Sequence, residues 1–243
     1  MARAASGKGL DDAAGFLPLE PEDYLGHRER LRERFLAGGN DALADYELLE
    51  LLLFMAIPRR DVKPYAKRLI SRFGSFHGVL AADVAALQSV KGIGAPTAAA
   101  IKAIHAAALR FAREAIIDRP LMGTWQQVID YCRAAMAHNE VEELRVLYLD
   151  AKNGLLHEER LQTGTVNHTA VYPREVVKRA LERGAVSIVM VHNHPSGDPT
   201  PSRADIEMTK EVAKAASALG ITLHDHLIVA RERHASLKGL GLI

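Results

Sequence analysis

Residues 191–205 read Val191-His192-Asn193-His194-Pro195-Ser196-Gly197-Asp198-Pro199-Thr200-Pro201-Ser202-Arg203-Ala204-Asp205. An apolar run from Ser187 to Val191 leads into two histidines two residues apart. A strand has a side-chain period of two, so His192 and His194 point the same way. The proline- and glycine-rich segment behind them reads as a turn. Ser202 and Asp205 then open a helix with capping-box spacing. Two imidazoles on one face, with a carboxylate brought back by a tight loop, make an N/N/O set of three ligands. A catalytic Zn²⁺ site has that composition, its fourth position left to water. Each piece has a plainer reading as surface histidines, an ordinary cap or an ordinary loop. The spacing joins them, and a residue in the first helical turn can both cap and ligate.

From His194, seven residues intervene before Ser202 and two more before Asp205, giving H-x-H-x7-S-x2-D. With Tyr172-Pro173-Arg174-Glu175-Val176 and Leu223-His224-Asp225-His226-Leu227-Ile228-Val229, this pattern resembles the RadC branch of the JAB/JAMM (MPN-type) metalloproteases. The resemblance runs from near Glu22 to Ile243. It implies a JAB/JAMM (cytidine-deaminase-like) α/β sandwich with a mixed sheet, preceded by an all-α helix-hairpin-helix domain. It implies Zn²⁺ held by His192, His194 and Asp205, and hydrolysis of an amide or isopeptide bond in a peptide or protein. It also implies a base glutamate at the start of an early strand.

The matching position for that base is Glu142. Glu143 is adjacent but faces the other way, and Glu158 and Glu159 on the next strand are rivals. All four also read as surface carboxylates, the usual place for glutamate. Ser202 is expected to donate to the developing oxyanion besides capping its helix. Asp198 reads as a turn residue. Asp225 and His226 are candidates for orienting the ligands, and His226 reads equally as a core histidine. His157, His168, His224 and His234 fall in no constellation.

A chain of 243 residues has room for one large domain or two modest ones. Hydrophobic content of 48% supports a core, and 5% aromatics make its packing aliphatic. The single cysteine, Cys132, excludes a disulfide framework and a Cys-rich zinc site. It also excludes a zinc nucleoside deaminase, which needs H-x-E with P-C-x-x-C. One thiol fits a reducing, cytoplasmic setting. No apolar run reaches the ~18 residues of a membrane span; Leu48 to Ile57 is short and carries Glu50. The first residues lack an apolar signal-peptide core. Net charge is +1, with 15 Lys+Arg against 12 Asp+Glu over residues 21–119. Such a mild surplus does not announce a nucleic-acid binder. Arg28, Arg30, Arg32 and Arg34 read as a solvated helix face.

A tail and two domains are expected: residues 1–20 as a flexible tail, 21–118 as a helical domain with the helix-hairpin-helix and 119–243 as the JAB/JAMM metal-dependent hydrolase domain. Helices are expected over Arg28–Leu36, Asp45–Phe54 and Val62–Phe73, with glycines 38, 39 and 74 as stops. Leu87 to Thr97 reads as a helix-hairpin-helix turn around Lys91, Gly92 and Gly94, opening a helix from Pro96 to about Ala112. Backbone amides left uncovered there can hold a phosphate, so weak DNA binding is expected. The other reading is a plain packing turn. Pro120 marks the boundary, and Thr124 caps a helix to about His138. Strands Leu144–Leu149 and Leu155–Gln162 flank a turn at Asn153-Gly154. Helix Pro173–Arg183, strand Ser187–His192, helix Ser202–Leu219 and strand Ile221–Ala230 complete a β-β-α-β-α-β order. The alternative to a hydrolase is a DNA-associated repair or mobile-element protein whose metal site acts on nucleic acid or is structural.

Overall fold

The computed structural model describes residues 21–117, 123, 125–163 and 172–243. The expected tail, the boundary at 118/119, the Thr124 cap and His168 lie outside the described residues. The helical part comprises α1 (Pro21–Gly38), α2 (Asp45–Ala56), α3 (Lys63–Phe73), α4 (Phe76–Ala81), α5 (Val84–Gln88) and α6 (Ala95–Glu114). Leu49, Leu53, Val62, Leu69, Val79, Leu87 and Ile101 close one aliphatic core among them. Glycine is the stop at Gly39 (φ 67°) and Gly74 (φ 82°), where a left-handed residue ends the helix. Ser75 and Asp83 cap α4 and α5 through their side chains.

Arg28 does not lie on a solvated face. It is buried, and its Nη2 donates at 2.6 Å to both Ile57 O and Arg60 O beyond the end of α2. Its guanidinium lies over the Phe54 ring. Glu50 is fully buried and pairs with His27 Nε2 at 2.8 Å. Burial pushes its carboxyl up against the pull of His27.

The second part is α7 (Trp125–Met136), β1 (Glu143–Leu149), β2 (Leu155–Thr163), α8 (Pro173–Glu182), β3 (Ser187–Asn193), α9 (Arg203–Ser217), β4 (Thr222–Val229) and β5 (His234–Ser236). The sheet order is β2-β1-β3-β4-β5. Only β3 and β4 run parallel, joined by α9 as a crossover; the other neighbours are antiparallel. Strand periodicity sorts the side chains into two layers. Leu147, Leu149, Val189, Val191, Leu227 and Val229 pack on α7, joined by Ile116 just past α6. Leu144, Val146, Tyr148, Ile188 and Met190 pack on α8 and α9. This is a three-layer mixed α/β fold behind an all-α region.

Three short elements escape sequence reading: the 3-10 helix Asn40–Ala42, α4 and β5. The hairpin glycines also divide their roles. Gly92 sits at φ 96°, while Gly94 is extended at φ −90° as the N-cap of α6. A Cβ on Gly92 would enter the Tyr65 ring of α3; one on Gly94 meets only Pro96 Cδ at 3.7 Å.

Candidate metal centre

His192 belongs to the β3 set that faces α8 and α9, after Ile188 and Met190. α9 begins on that side, and its first turn carries Asp205. The imidazoles of His192 and His194 meet through Nε2, 2.9 Å apart. Asp205 Oδ1 lies 3.5 Å from His192 Nε2, and its Oδ2 lies 3.7 Å from His194 Nε2. One ligand atom from each residue falls within 4.8 Å of the others. Ligands about 2.0–2.2 Å from a tetrahedral ion stand roughly 3.3–3.5 Å apart; the two Asp205 distances lie near that spacing and the histidine pair is closer, so the donor set fits Zn²⁺ in kind with a small parting of the two rings. Among the described residues it is the one cluster of three such ligands.

The far side of each candidate ligand is anchored. His194 Nδ1 lies 2.7 Å from Asp198 O. A carbonyl only accepts, so His194 carries a hydrogen on Nδ1, and when neutral it turns a bare Nε2 to the cluster. Asp198 is the expected turn residue, with Oδ1 accepting from Thr200 N and Oγ1; its carbonyl adds the orienting role. Asp205 Oδ2 accepts from Ser202 N at 2.8 Å and Ser202 Oγ at 2.6 Å, which leaves Oδ1 for a cation. Ser202 Oγ in turn accepts from Asp205 N at 3.1 Å. This reciprocal capping box is the one the spacing predicts. It also commits the Ser202 hydroxyl to Asp205, so an oxyanion role requires that hydroxyl to turn.

The charges differ within the cluster. Burial pushes His192 down to about 4, against the attraction of Asp205. His194 is raised, chiefly by the Asp205 carboxylate 3.7 Å from its Nε2, with burial opposing. Burial would raise Asp205, but His194, His192 and Ser202 together hold it well below the usual carboxylate range. An ionised Asp205 beside a neutral His192 suits a divalent cation, and a proton that Asp205 draws to His194 would have to leave as the cation binds.

Glu142 is half-buried just ahead of β1, in step with Leu144 and hence toward the α9 side. Burial raises its pKa, His194 lowers it and Asp205 raises it, which puts Glu142 in the field of the cluster. Glu143 is buried and bonds Arg145 Nε at 2.6 Å on the opposite face. Glu158 accepts from Tyr131 and Arg145 at 2.5 and 2.8 Å. Glu159 pairs with Arg179 and Arg183. The three rivals are therefore tied into ion pairs away from the histidines.

Two residues of the site were not singled out from sequence. Asn193 is fully buried; its Oδ1 accepts from Glu143 N, and its Nδ2 donates to Asn139 O and Val141 O. It thereby holds the loop that carries Glu142. Thr209, one turn along α9 from Asp205, contacts His226 Nδ1 at 2.6 Å, and His226 Nε2 contacts His192 Nδ1 at 2.8 Å. His226 is thus the ligand-supporting candidate. Asp225 accepts instead from His226 N, Ser236 Oγ and Lys238 N, and pins β5 to β4. His224 bonds Asn153 at 2.7 Å, away from the cluster.

A mixed sheet with a His/His/Asp cluster at the end of β3 and a serine-capped helix beside it defines a JAB-type domain. Residues 122–242 match the RadC-like JAB domain family, and residues 24–99 match the family described as UPF0758 N-terminal. The chain belongs to the RadC family, with its JAB domain following the helical region. JAB-type domains include hydrolases and often bind zinc. Among the described residues no helix is long and apolar enough to cross a membrane.

Proposed function

We propose that the chain is a zinc-dependent hydrolase of amide or isopeptide bonds in a peptide or protein, with Glu142 as its base. The supporting observation is convergence: two imidazole Nε2 atoms and Asp205 meet in one place, with Glu142 beside them. Zinc there would supply a Lewis acid and lower the pKa of water toward neutrality. Glu142 takes up the proton of the attacking water and passes it to the leaving amine. Its raised pKa moves it toward the range where a carboxyl does both. Ser202, once turned from Asp205, donates to the developing oxyanion.

The experiment is zinc titration of the purified chain with a fluorogenic peptide library as the activity probe. Wild type takes up one zinc, His192→Ala and Asp205→Ala lose it, and Glu142→Gln keeps it without turnover. Absence of zinc uptake by folded wild type overturns the metal reading. Peptide hydrolysis undiminished in Glu142→Gln overturns the assigned base.

A second reading, DNA contact by the helical region, has its own support. Lys91 and Gly92 are exposed at the hairpin, and Tyr65 of α3 packs against Gly92. Arg68 covers the Tyr65 ring, and Arg72 is exposed one turn further on the same helix face. Hairpin amides and this basic stripe would meet phosphates without reading bases. Duplex binding should weaken steeply with salt, and Arg68→Glu with Lys91→Glu should flatten that slope by about one unit per lost contact. Binding unchanged in the double variant, or absent at low salt, leaves the hairpin as packing.

A further inference from the structure

Thr209 decides a question of proton placement at the cluster. Its hydroxyl stands 2.5 Å from Asp205 O and 2.6 Å from His226 Nδ1. A carbonyl has no hydrogen to give, so the single hydroxyl hydrogen of Thr209 goes to Asp205 O. Toward His226, Thr209 can then only accept, which puts the His226 hydrogen on Nδ1. His226 is fully buried, and its two ring nitrogens face only Thr209 and His192. A buried imidazole without a carboxylate partner is neutral. With Nδ1 protonated, its Nε2 is a bare acceptor. That atom lies 2.8 Å from His192 Nδ1, so His192 is the donor there. His192 then keeps its lone pair on Nε2, the atom facing His194 and Asp205.

We propose that Thr209 and His226 are positioning residues that fix His192 as the Nδ1–H tautomer and so aim its Nε2 lone pair at a divalent cation. The inference rests on reading His192, His194 and Asp205 as metal ligands. The relay starts at the backbone carbonyl of one ligand, Asp205, crosses α9 to β4 and ends on another ligand, His192. The first turn of α9 thereby sets two ligands: one through the Asp205 side chain, the other through its carbonyl. His194 is set separately, by Asp198 O. Both histidines are held as the same tautomer by two independent carbonyls. Outer partners of this kind typically change metal affinity 10–100-fold.

The test compares the full chain with Thr209→Val, which keeps the shape and removes the hydroxyl, and Thr209→Ser, which restores the hydroxyl. Zinc and cobalt(II) titrations read affinity, and ¹⁵N–¹H correlation of the metal-free protein reads the histidine tautomers. Thr209→Val should bind zinc roughly 10–100-fold more weakly and show His192 as a mixture of tautomers. Thr209→Ser should return to within a few-fold of wild type. Equal zinc affinity in wild type and Thr209→Val, or a His192 Nε2–H tautomer in metal-free wild type, overturns the proposal. If wild type takes up no zinc, the metal reading fails by itself, and the tautomer spectrum still decides the relay. If Thr209→Val does not fold, the wild-type spectrum and Thr209→Ser remain decisive.

Discussion

Asn193 sits between the two histidines in sequence but faces the opposite layer, where it serves three backbone groups at once. Its buried carboxamide closes the buried Glu143 amide and the half-buried carbonyls of Asn139 and Val141. Alanine at 193 leaves these groups without partners, and water reaches the buried Glu143 amide poorly. We expect Asn193→Ala to cost about 1–3 kcal/mol of stability and to slow turnover through a loosened Glu142, while zinc affinity stays within a few-fold. Denaturant titration beside zinc titration checks this; an unchanged midpoint would remove Asn193 from the support of the loop. The cluster of His192, His194 and Asp205 was legible because its spacing brings the three together: a period-two strand, a turn and a cap. Thr209 and His226 were not. They lie 17 residues apart, and only the β3-α9-β4 crossover brings them together. A threonine inside a helix carries no mark of what faces it.

At the scale of elements, legibility follows length and punctuation. β1, β3, α8 and α9 carry clear periodicity between glycine and proline stops, and their expected limits fall within a residue or two. β5 has three residues and α4 has six, too few for a period to show. α1 begins earlier than its polar first turn suggests. The hairpin was legible as a motif, but its two glycines looked equivalent and are not. Gly92 needs a left-handed φ and a missing side chain; Gly94 needs neither. Gly92→Ala should therefore destabilise the helical region by at least about 1 kcal/mol, combining φ strain with displacement of Tyr65. Gly94→Ala should shift it far less. Chemical denaturation of the two variants separates them, and equal losses would show that the Tyr65 contact is not what Gly92 protects.

Across the whole molecule, the helical region meets the JAB part through histidines. His77 of α4 and His105 of α6 both reach Ala134 O of α7 at 3.4 Å, and the His138 ring lies 4.3 Å from that of His77. Burial lowers His77 and His105, and lowers His138 to about 4, with the other imidazoles, Arg133 and Arg231 adding to it. Lys102, next to His105, contributes another positive charge, although its ammonium also closes the carbonyls at the end of α4. Protons thus bind the unfolded chain more readily than this seam. Above about pH 6.5, the ordinary histidine value, the rings are neutral in both states and add no pH dependence. As pH falls from there toward about 4, the folded state should lose stability. His138→Gln should make that decline shallower, as thermal melts across this range would register. Identical pH profiles for the two proteins would mean that the seam does not carry the acid sensitivity. We also propose that the division near residue 118 is not clean: Ile116, fully buried in the α7 layer, belongs with the sheet.

The ligand geometry reaches beyond chemistry at the site. His192 and His194 close β3, Asp205 opens α9, and an unfolded chain offers no such convergence. A cation held there is a ligand of the native state alone. At a thousandfold excess over its dissociation constant it adds about 4 kcal/mol to unfolding, a sizeable share of the total stability of a domain. Under the proposed zinc binding, the melting temperature would become a gauge of free metal, and a chelator would lower it without touching a peptide bond. In a cell short of zinc, the same coupling would shorten the life of the protein before any substrate was missed.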